Sequence, residues 1–323
     1  MRRRSLCLIL FLTTMIAGDA RAASLDLSYH GYGISFGNSK RMNGIRLNLV
    51  DSQVERINGL NLTLWRPKDN PEAVINGFAV GLVAPQAYQL SGLSFGGVGV
   101  MADNISGVSL GTIGLAAGDV KGIAIGGVGL ATGDVEGIAL AALGLASGDI
   151  QGIAIGGVGM ASGEIQGLAV GGVGAATQDL SGVAIGGIGL ACEDIQGIAI
   201  GGLGVAGEDV EGITIGGLGV GAREVTGLTI GGLGVGAAEI TGLTIGCVGV
   251  GAEDITGLAI GGYCKAERSL TGLSIGVLNR AQNLNGVQIG ILNYCSNNPP
   301  AFRLLPIINV HIGKERRRSG HSD

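Results

Sequence analysis

The chain has few of the residues from which catalytic and ligand-binding sites are usually built. Only 3% of its 323 residues are aromatic, and it contains 3 histidines and 6 prolines. Such a composition excludes an ordinary aromatic-rich core, and residues 97–262 contain no ring that could serve as a sugar-binding platform. The histidines, His30, His311 and His321, lie near the chain ends without a nearby nucleophile or base. We therefore predict a protein that is not an enzyme and needs no cofactor.

Charge is also sparse, since charged residues make up 14% of the chain and the formal net charge is −5. This mild balance gives no reason to expect a nucleic-acid partner. Partners are otherwise unknown from sequence, and envelope or extracellular proteins are the class to consider.

The cysteines form no recognisable pattern. Four of them, Cys192, Cys247, Cys264 and Cys295, follow the first 22 residues, and their irregular spacing matches neither a zinc motif nor a disulfide framework. If the repeats described below stack, Cys247 and Cys264 become diagonal neighbours about 7–8 Å apart. That is at or beyond the reach of a disulfide, so their pairing stays open at this stage.

The first 22 residues have the features of a secretory signal peptide. Arg2, Arg3 and Arg4 precede an apolar stretch from Leu6 to Ile16, and Ala20-Arg21-Ala22 offers a small-residue cleavage site. We predict export, with the mature chain beginning at Ala23. The destination is the periplasm, the outer-membrane surface or the extracellular medium.

Glycine is the most informative residue that is present. The chain has 65 glycines, and one returns every fifteenth residue without a break from Gly92 to Gly272. We call it the motif glycine and number the other positions from it. Collagen is excluded because the glycines do not fall at every third residue, and disorder is disfavoured because 46% of residues are hydrophobic. Self-similarity at a fixed period is typical of a stacked repeat fold.

One copy of the repeat, Gly227–Thr241, illustrates how the chain is expected to coil. A turn at Gly231-Gly232, where glycine accepts a positive φ, would let every aliphatic side chain point to one interior. The aliphatic residues assigned to that interior are Leu228, Ile230, Leu233, Val235 and Ile240. We predict an all-β fold, a single β-solenoid of 15-residue, three-sided coils stacked about 4.8 Å apart.

The ends of such a stack need caps, because open sheet edges recruit other chains. Tyr29, Tyr32 and Phe36 precede the regular repeat, and Pro299-Pro300 follow it, where proline cannot continue a ladder. The predicted organisation is a signal peptide at 1–22, an N-terminal cap at 23–43, the solenoid at 44–294, a C-terminal cap strand at 295–312 and a basic disordered tail at 313–323.

Two stretches carry a family resemblance: SFGNSKRMNGIRLNLVDSQVERINGLNLTLW near the start, and GLSIGVLNRAQNLNGVQIGILNYCSNNPPAFRLLPIINV near the end. They resemble the exported surface-repeat proteins of spirochaetes and other Gram-negative bacteria, a leptospiral-type family of 15-residue units G-[LV]-x-[IL]-G-[LV]-x-N. The central copies match only in period and apolar pattern, since glycine replaces the usual Asn, as at Gly234. The resemblance implies export and repeat architecture, without an assigned activity.

An acidic column is the candidate site with the most specific pattern. Stacked like charges about 5 Å apart repel one another, so a compensating partner such as calcium is one hypothesis. No Asp-x-Asp spacing accompanies the column, however, and we favour a row of solvated turn residues that keeps the surface charged. The column occupies the twelfth position and comprises Asp119, Asp134, Asp149, Glu164, Asp179, Asp194, Asp209, Glu224, Glu239 and Asp254.

Threonines form two further columns, both predicted to face outward. One contains Thr214, Thr229 and Thr244, and the other Thr226, Thr241, Thr256 and Thr271. Flat threonine arrays occur on ice-binding solenoids, although threonine is also a common strand residue on a wet face.

From the sequence we expect a non-enzymatic, exported repeat protein that serves as a structural or surface-interaction rod of the cell envelope. Two alternatives stay open. One is an outer-membrane β-barrel, in which each repeat supplies a strand, although the Gly-Gly step interrupts the alternation that such strands need. The other is a secreted calcium-binding module that uses the acidic column.

Overall fold

A computed structural model describes residues 24–68 and 70–313. The predicted signal peptide, and the predicted basic tail except Gly313, lie outside these residues. The described chain is nearly all β, and its one helix is a 3₁₀ turn, Pro300–Phe302. No helix in the described part is long and apolar enough to cross a membrane. The chain divides into two compact units, residues 1–141 and 142–323.

Unit 1 is a β-solenoid that begins with a hairpin. β1 and β2 pair antiparallel around His30-Gly31, and β2 then pairs parallel with β3, which starts the stack. Each later strand adds to its predecessor in parallel, and β9 and β10 both lie on β8. The strands of unit 1 are β1 Ser24–Tyr29, β2 Tyr32–Gly37, β3 Arg41–Asn48, β4 Arg56–Thr63, β5 Val74–Gly81, β6 Gln86–Gly96, β7 Gly99–Gly111, β8 Gly114–Gly126, β9 Gly129–Thr132 and β10 Val135–Ala141.

Unit 2 is also a β-solenoid, and it ends with an antiparallel strand. β21 runs without a break from Glu239 to Cys295, and β22 folds back along its last coil. The strands of unit 2 are β11 Gly144–Ala146, β12 Ile150–Gly156, β13 Gly159–Gly171, β14 Gly174–Gly186, β15 Gly189–Gly201, β16 Gly204–Ala206, β17 Asp209–Gly216, β18 Gly219–Gly221, β19 Glu224–Gly231, β20 Gly234–Gly236, β21 Glu239–Cys295 and β22 Leu304–His311.

The register follows the sequence period. Gly182 lies over Gly167 and under Gly197, and the flanking residues pair at the same offset of fifteen. Between β4 and β5 the offset is eighteen, because this coil is three residues longer than the others. The predicted fold class, a β-solenoid of about 15-residue coils, is confirmed.

The motif glycine lies inside a strand but has a backbone conformation that other residues rarely adopt, whereas the chain bends at the fifth and sixth positions, as at Gly232-Leu233. Gly227, for example, has a φ of 121°, and an added Cβ there would collide with the carbonyl oxygen of Gly212 in the coil below. The positive φ expected at Gly231-Gly232 is therefore at the motif glycine instead. Gly232 still has to be glycine, because a Cβ would overlap the carbonyl oxygen of Gly217.

The predicted interior is only partly correct. In the copy Gly227–Thr241, Val235 and Ile240 are buried at 4% and 1% exposure, but Leu233 is 54% exposed. Leu228 and Ile230 are half-buried, whereas Thr229 between them is 1% exposed. The core therefore consists of the second, eighth and thirteenth positions, one inward side chain for each side of the coil.

Strand alternation explains this facing. The strand that carries Ile240 continues through the motif glycine Gly242, so alternate residues point inward and the next inward side chain is Thr244. Leu243 and Ile245, on either side of Thr244, must then face outward. The assignment of Leu228, Ile230 and Leu233 to the interior was wrong, because the buried thirteenth position sets which residues face inward.

Two matched substitutions in unit 1 test which positions of the repeat point inward. Val120 is 1% exposed and Val128, in the next coil, is 45% exposed. We expect Val120→Asp to abolish cooperative folding of unit 1, since a carboxylate cannot be buried without a partner. Val128→Asp should change the free energy of unfolding by about 0.5 kcal/mol or less. Circular dichroism during urea unfolding measures both, and equal tolerance of the two would contradict the assignment.

A second test uses the buried threonines. The hydroxyl groups of Thr214, Thr229 and Thr244 are buried without a hydrogen-bond partner among the described residues. Replacing one by the isosteric valine removes an unsatisfied polar group, so Thr229→Val should stabilise the protein by about 1 kcal/mol. Thr226→Val, at an exposed position one residue before the motif glycine, should have little effect. The urea midpoints of the two variants measure these effects. A lower midpoint for Thr229→Val than for the wild type would contradict the burial of Thr229 without a hydrogen-bond partner.

Candidate functional site

The acidic column lies on the outer surface as a continuous row within unit 2. Asp179 pairs with Asp194, Asp194 with Asp209, and Asp209 with Glu224, each one coil apart. Glu164, Asp209 and Asp254 are partly buried and the other members are exposed. Asp119 and Asp134 occupy the same position in unit 1.

Two arginines offset part of the repulsion along this row. Arg223 lies 2.5 Å from Asp209 in the preceding coil and 3.4 Å from Glu224. Arg268 contacts Asp254, and lies 3.6 Å from Glu239 and 3.5 Å from Glu253. The hydrogen bond from Arg268, helped by Ser269 and opposed by partial burial, lowers the pKa of Asp254. The repulsion between the carboxylates of the row is therefore reduced where these two arginines contact acids of the preceding coils.

Across the described residues, no three His, Cys, Asp or Glu side chains are placed to hold a metal ion. Within the acidic row, the backbone N–H of Glu164 donates to a carboxylate oxygen of Asp149 at 3.0 Å. The chemistry visible in the row is hydrogen bonding and ion pairing between neighbouring coils.

The first threonine column is not on the surface. Thr214, Thr229 and Thr244 line the core at 1% exposure or less, in line with buried Ala199 and Ala259. The expectation that this column faces outward was wrong, and its hydroxyl groups cannot meet ice. The second column, Thr226, Thr241, Thr256 and Thr271, is exposed as expected.

All four described cysteines are free. Cys192, Cys264 and Cys295 are buried, whereas Cys247 is exposed, so Cys247 and Cys264 do not pair. Burial raises the pKa of the Cys192 thiol to about 12, which leaves it unreactive at neutral pH.

The largest feature that sequence reasoning missed is a row of aliphatic side chains on the outside. In unit 2 the sixth position is exposed in every coil from Leu143 to Val248, with exposed fractions between 44% and 64%. Backbone hydrogen bonds of 2.6–2.9 Å link each member to the one below. We call this row the aliphatic ridge; its members are Leu143, Val158, Val173, Ile188, Leu203, Leu218, Leu233 and Val248. Unit 1 has a shorter row of the same kind, Val98, Ile113 and Val128.

A groove floored by glycine runs beside the ridge in unit 2. Its floor is Gly234, Gly236, Gly249 and Gly251, its wall is Leu233 and Val248, and Tyr263 and Lys265 stand at one end. The volume is about 510 Å³. We call it the glycine groove.

Between residues 142 and 256 charge is separated from the aliphatic ridge, and Lys265, beyond this range, is the charged residue at the end of the glycine groove. Within residues 142–256 every charged side chain occupies the eleventh, twelfth or fourteenth position, and all except Arg223 are acidic. From the motif glycine to the ninth position these coils carry no charge at all. Each coil of unit 2 in this range therefore presents one acidic side and two uncharged sides.

Unit 1 contains a buried polar cluster at its N-terminal end. Arg46 occupies the inward second position at 0% exposure and lies 2.5 Å from Asp51. Its guanidinium also donates to the side-chain carbonyls of Asn61 and Asn38, both at 2.7 Å. Thr63 donates to Asp51 at 2.6 Å. The repeat pattern did not indicate that Arg46 is buried, because an arginine at this position occurs in one coil alone.

The balance of these contacts sets the charge of Asp51. Burial favours its neutral form, but the Arg46 charge and hydrogen bonds from Thr63, Asn61 and Asn48 together lower the pKa of this carboxyl. The cluster is thus an ion pair with most of its hydrogen bonds satisfied, although Nε of Arg46 has no hydrogen-bond partner among the described residues.

No family model, curated protein or solved structure matches the chain.

The buried pair predicts a local dependence on pH. Because the folded pKa of Asp51 lies below the unfolded value of about 3.9, its stabilisation is complete above that pH and is lost as the pH falls through the folded pKa. Asp51→Asn leaves Arg46 without its counter-charge and should cost about 3–5 kcal/mol at neutral pH. Hydrogen exchange of the β3 and β4 amides, at neutral and acidic pH, measures both effects.

The control for that experiment is Glu55→Gln, which breaks the exposed ion pair between Arg41 and Glu55. It should cost no more than about 1 kcal/mol. If exchange in β3 and β4 is as fast in Glu55→Gln as in Asp51→Asn, the buried pair has no special role.

Proposed function

We propose that this protein is an exported, non-enzymatic scaffold of the bacterial cell envelope, and that it engages partners through its uncharged outer faces. The observation that carries the proposal is the aliphatic ridge with the adjoining glycine groove. Soluble proteins seldom leave a contiguous apolar patch of more than a few hundred Å² in water, and larger ones mark sites of interaction.

The form of the surface also favours binding over catalysis. Each side of a coil repeats the same residue types at a spacing of about 4.8 Å, so the molecule offers extended rows of equivalent positions. Such rows suit a partner that makes many similar contacts along a line.

Export is supported by the predicted signal peptide at 1–22 and by the resemblance of both ends of the chain to exported surface-repeat proteins. The proposed compartment is the periplasm, the outer-membrane surface or the extracellular medium. Proteins of the envelope or the extracellular space are accordingly the proposed partners.

Fractionation of a Gram-negative host that expresses the full chain tests the proposal. We expect the mature protein in the envelope or the medium, with an N-terminus at Ala23 by mass spectrometry, and we expect external protease to reach it if it is at the surface. A variant that lacks residues 2–22 is the control and should stay in the cytoplasm. Uncleaved full-length chain in the cytoplasm would overturn the proposed export.

A further inference from the structure

The glycines at the ninth position of the last regular coils are not required by the fold. An added Cβ at Gly221, Gly236 or Gly251 would meet no atom within 4 Å, and none of the three has a positive φ. Earlier coils of unit 2 carry alanine at the same position, as at Ala191 and Ala206. Glycine inside a strand costs about 0.5–1 kcal/mol relative to alanine, and it often marks a place where another backbone or ligand approaches closely.

These glycines make the floor of the glycine groove flat, and the aliphatic ridge stands next to it. The ridge repeats every coil, at a spacing of about 4.8 Å. A surface that fits into the groove and also receives the ridge must have the same repeat. This chain carries both features side by side, which is the arrangement that a two-fold symmetric interface needs.

We propose that unit 2 self-associates: a second copy of this chain places its aliphatic ridge in the glycine groove and receives the first copy's ridge in return. This inference rests on the proposed function, because it names the partner of the same uncharged faces.

The available area suits a reversible dimer. The side that carries the ridge and the groove spans about five residues of each coil, and the ridge runs over eight coils, with glycine at the seventh position throughout and alanine in place of glycine at the ninth position of the earlier coils. At about 3.3 Å per residue and 4.8 Å per coil this side covers about 600 Å². Two copies would bury about 1,200 Å² in total, the lower end of the range for specific interfaces.

The charge distribution favours a second copy over a lipid surface. Pairing through the uncharged sides leaves both acidic sides in water, where their repulsion is weakest. The charged residue of the glycine groove is Lys265 at its end, and its ammonium lies 2.5 Å from Glu267. Peripheral lipid-binding surfaces are instead rich in Lys and Arg, which attract anionic headgroups. Of the charged residues in 142–256, Arg223 alone is basic.

Sedimentation equilibrium of the full mature chain tests the proposal, in reducing buffer because Cys247 is exposed and free. We expect reversible association at micromolar concentrations. Leu233→Asp puts a charge on the ridge and Gly236→Val fills the groove, and each should weaken association about tenfold or more. Thr241→Asp, on the charged side of the same coil, should leave association unchanged.

Circular dichroism checks that each variant is folded. If Leu233→Asp does not fold, Gly236→Val decides the question, since its new side chain points into open space. A wild-type chain that stays monomeric overturns the proposal, as does Gly236→Val with undiminished association, or Thr241→Asp with an equal loss. Flotation of a monomeric chain with phosphatidylcholine vesicles, neutral or mixed with anionic lipid, would make lipid the partner and would also overturn it. None of these results bears on export, which the fractionation experiment decides separately.

Discussion

Close backbone contact at the motif glycine is the constraint on which both units depend. At this position the carbonyl oxygen of one coil lies where a Cβ of the next would be, as Gly227 shows against Gly212. Only a residue without a side chain can occupy the column, and its positive φ is a conformation that favours glycine. The contact recurs every fifteen residues. Register, coil length and the direction of every neighbouring side chain follow from it, because the alternation of the strand passes through the glycine unbroken.

That alternation decides how apolar the outside must be. Each coil has room for one inward side chain on each side, and in most coils the second position is filled by small Ala or Thr. The remaining aliphatic residues of the repeat have no interior left to occupy. An apolar exterior is thus a direct result of how narrow the coil is, and the confinement of charge to one side is what keeps unit 2 compatible with water.

The period in the sequence was sufficient to predict the solenoid, its stacking offset and the outward row of acids, since each depends only on the recurrence of residue types. Hydrophobicity alone could not predict which side chains point inward, because Leu228, Ile230 and Leu233 are as apolar as the buried Val235 and Ile240. The residue types that replace one another at the same position in successive coils do distinguish inward from outward positions. The second position takes Ala, Ser or Thr in every coil from Ser94 to Ser274, whereas the fourteenth takes Lys, Glu, Gln, Ser or Thr. Arg46 breaks even this rule, since its burial depends on Asp51, five residues later, and on Asn61, one coil later, and neither contact follows from the repeat pattern.

The polar residues at the inward second position have a consequence for how the chain finds its alignment. Near the start this column reads Ser35, Arg46 and Asn61, and near the end it reads Ser274 and Gln288, with alanine across much of the middle. Neighbouring coils are so alike that a stack displaced by one whole repeat would lose little apolar burial. Such a displacement would keep the pair of Arg46 and Asp51, which lie in one coil, but would take away the hydrogen bonds from Asn61 and Thr63 of the next coil. Each buried polar atom left unsatisfied costs about 1–3 kcal/mol. The polar groups of the terminal coils therefore select one stacking register in a chain whose repeats would otherwise allow several.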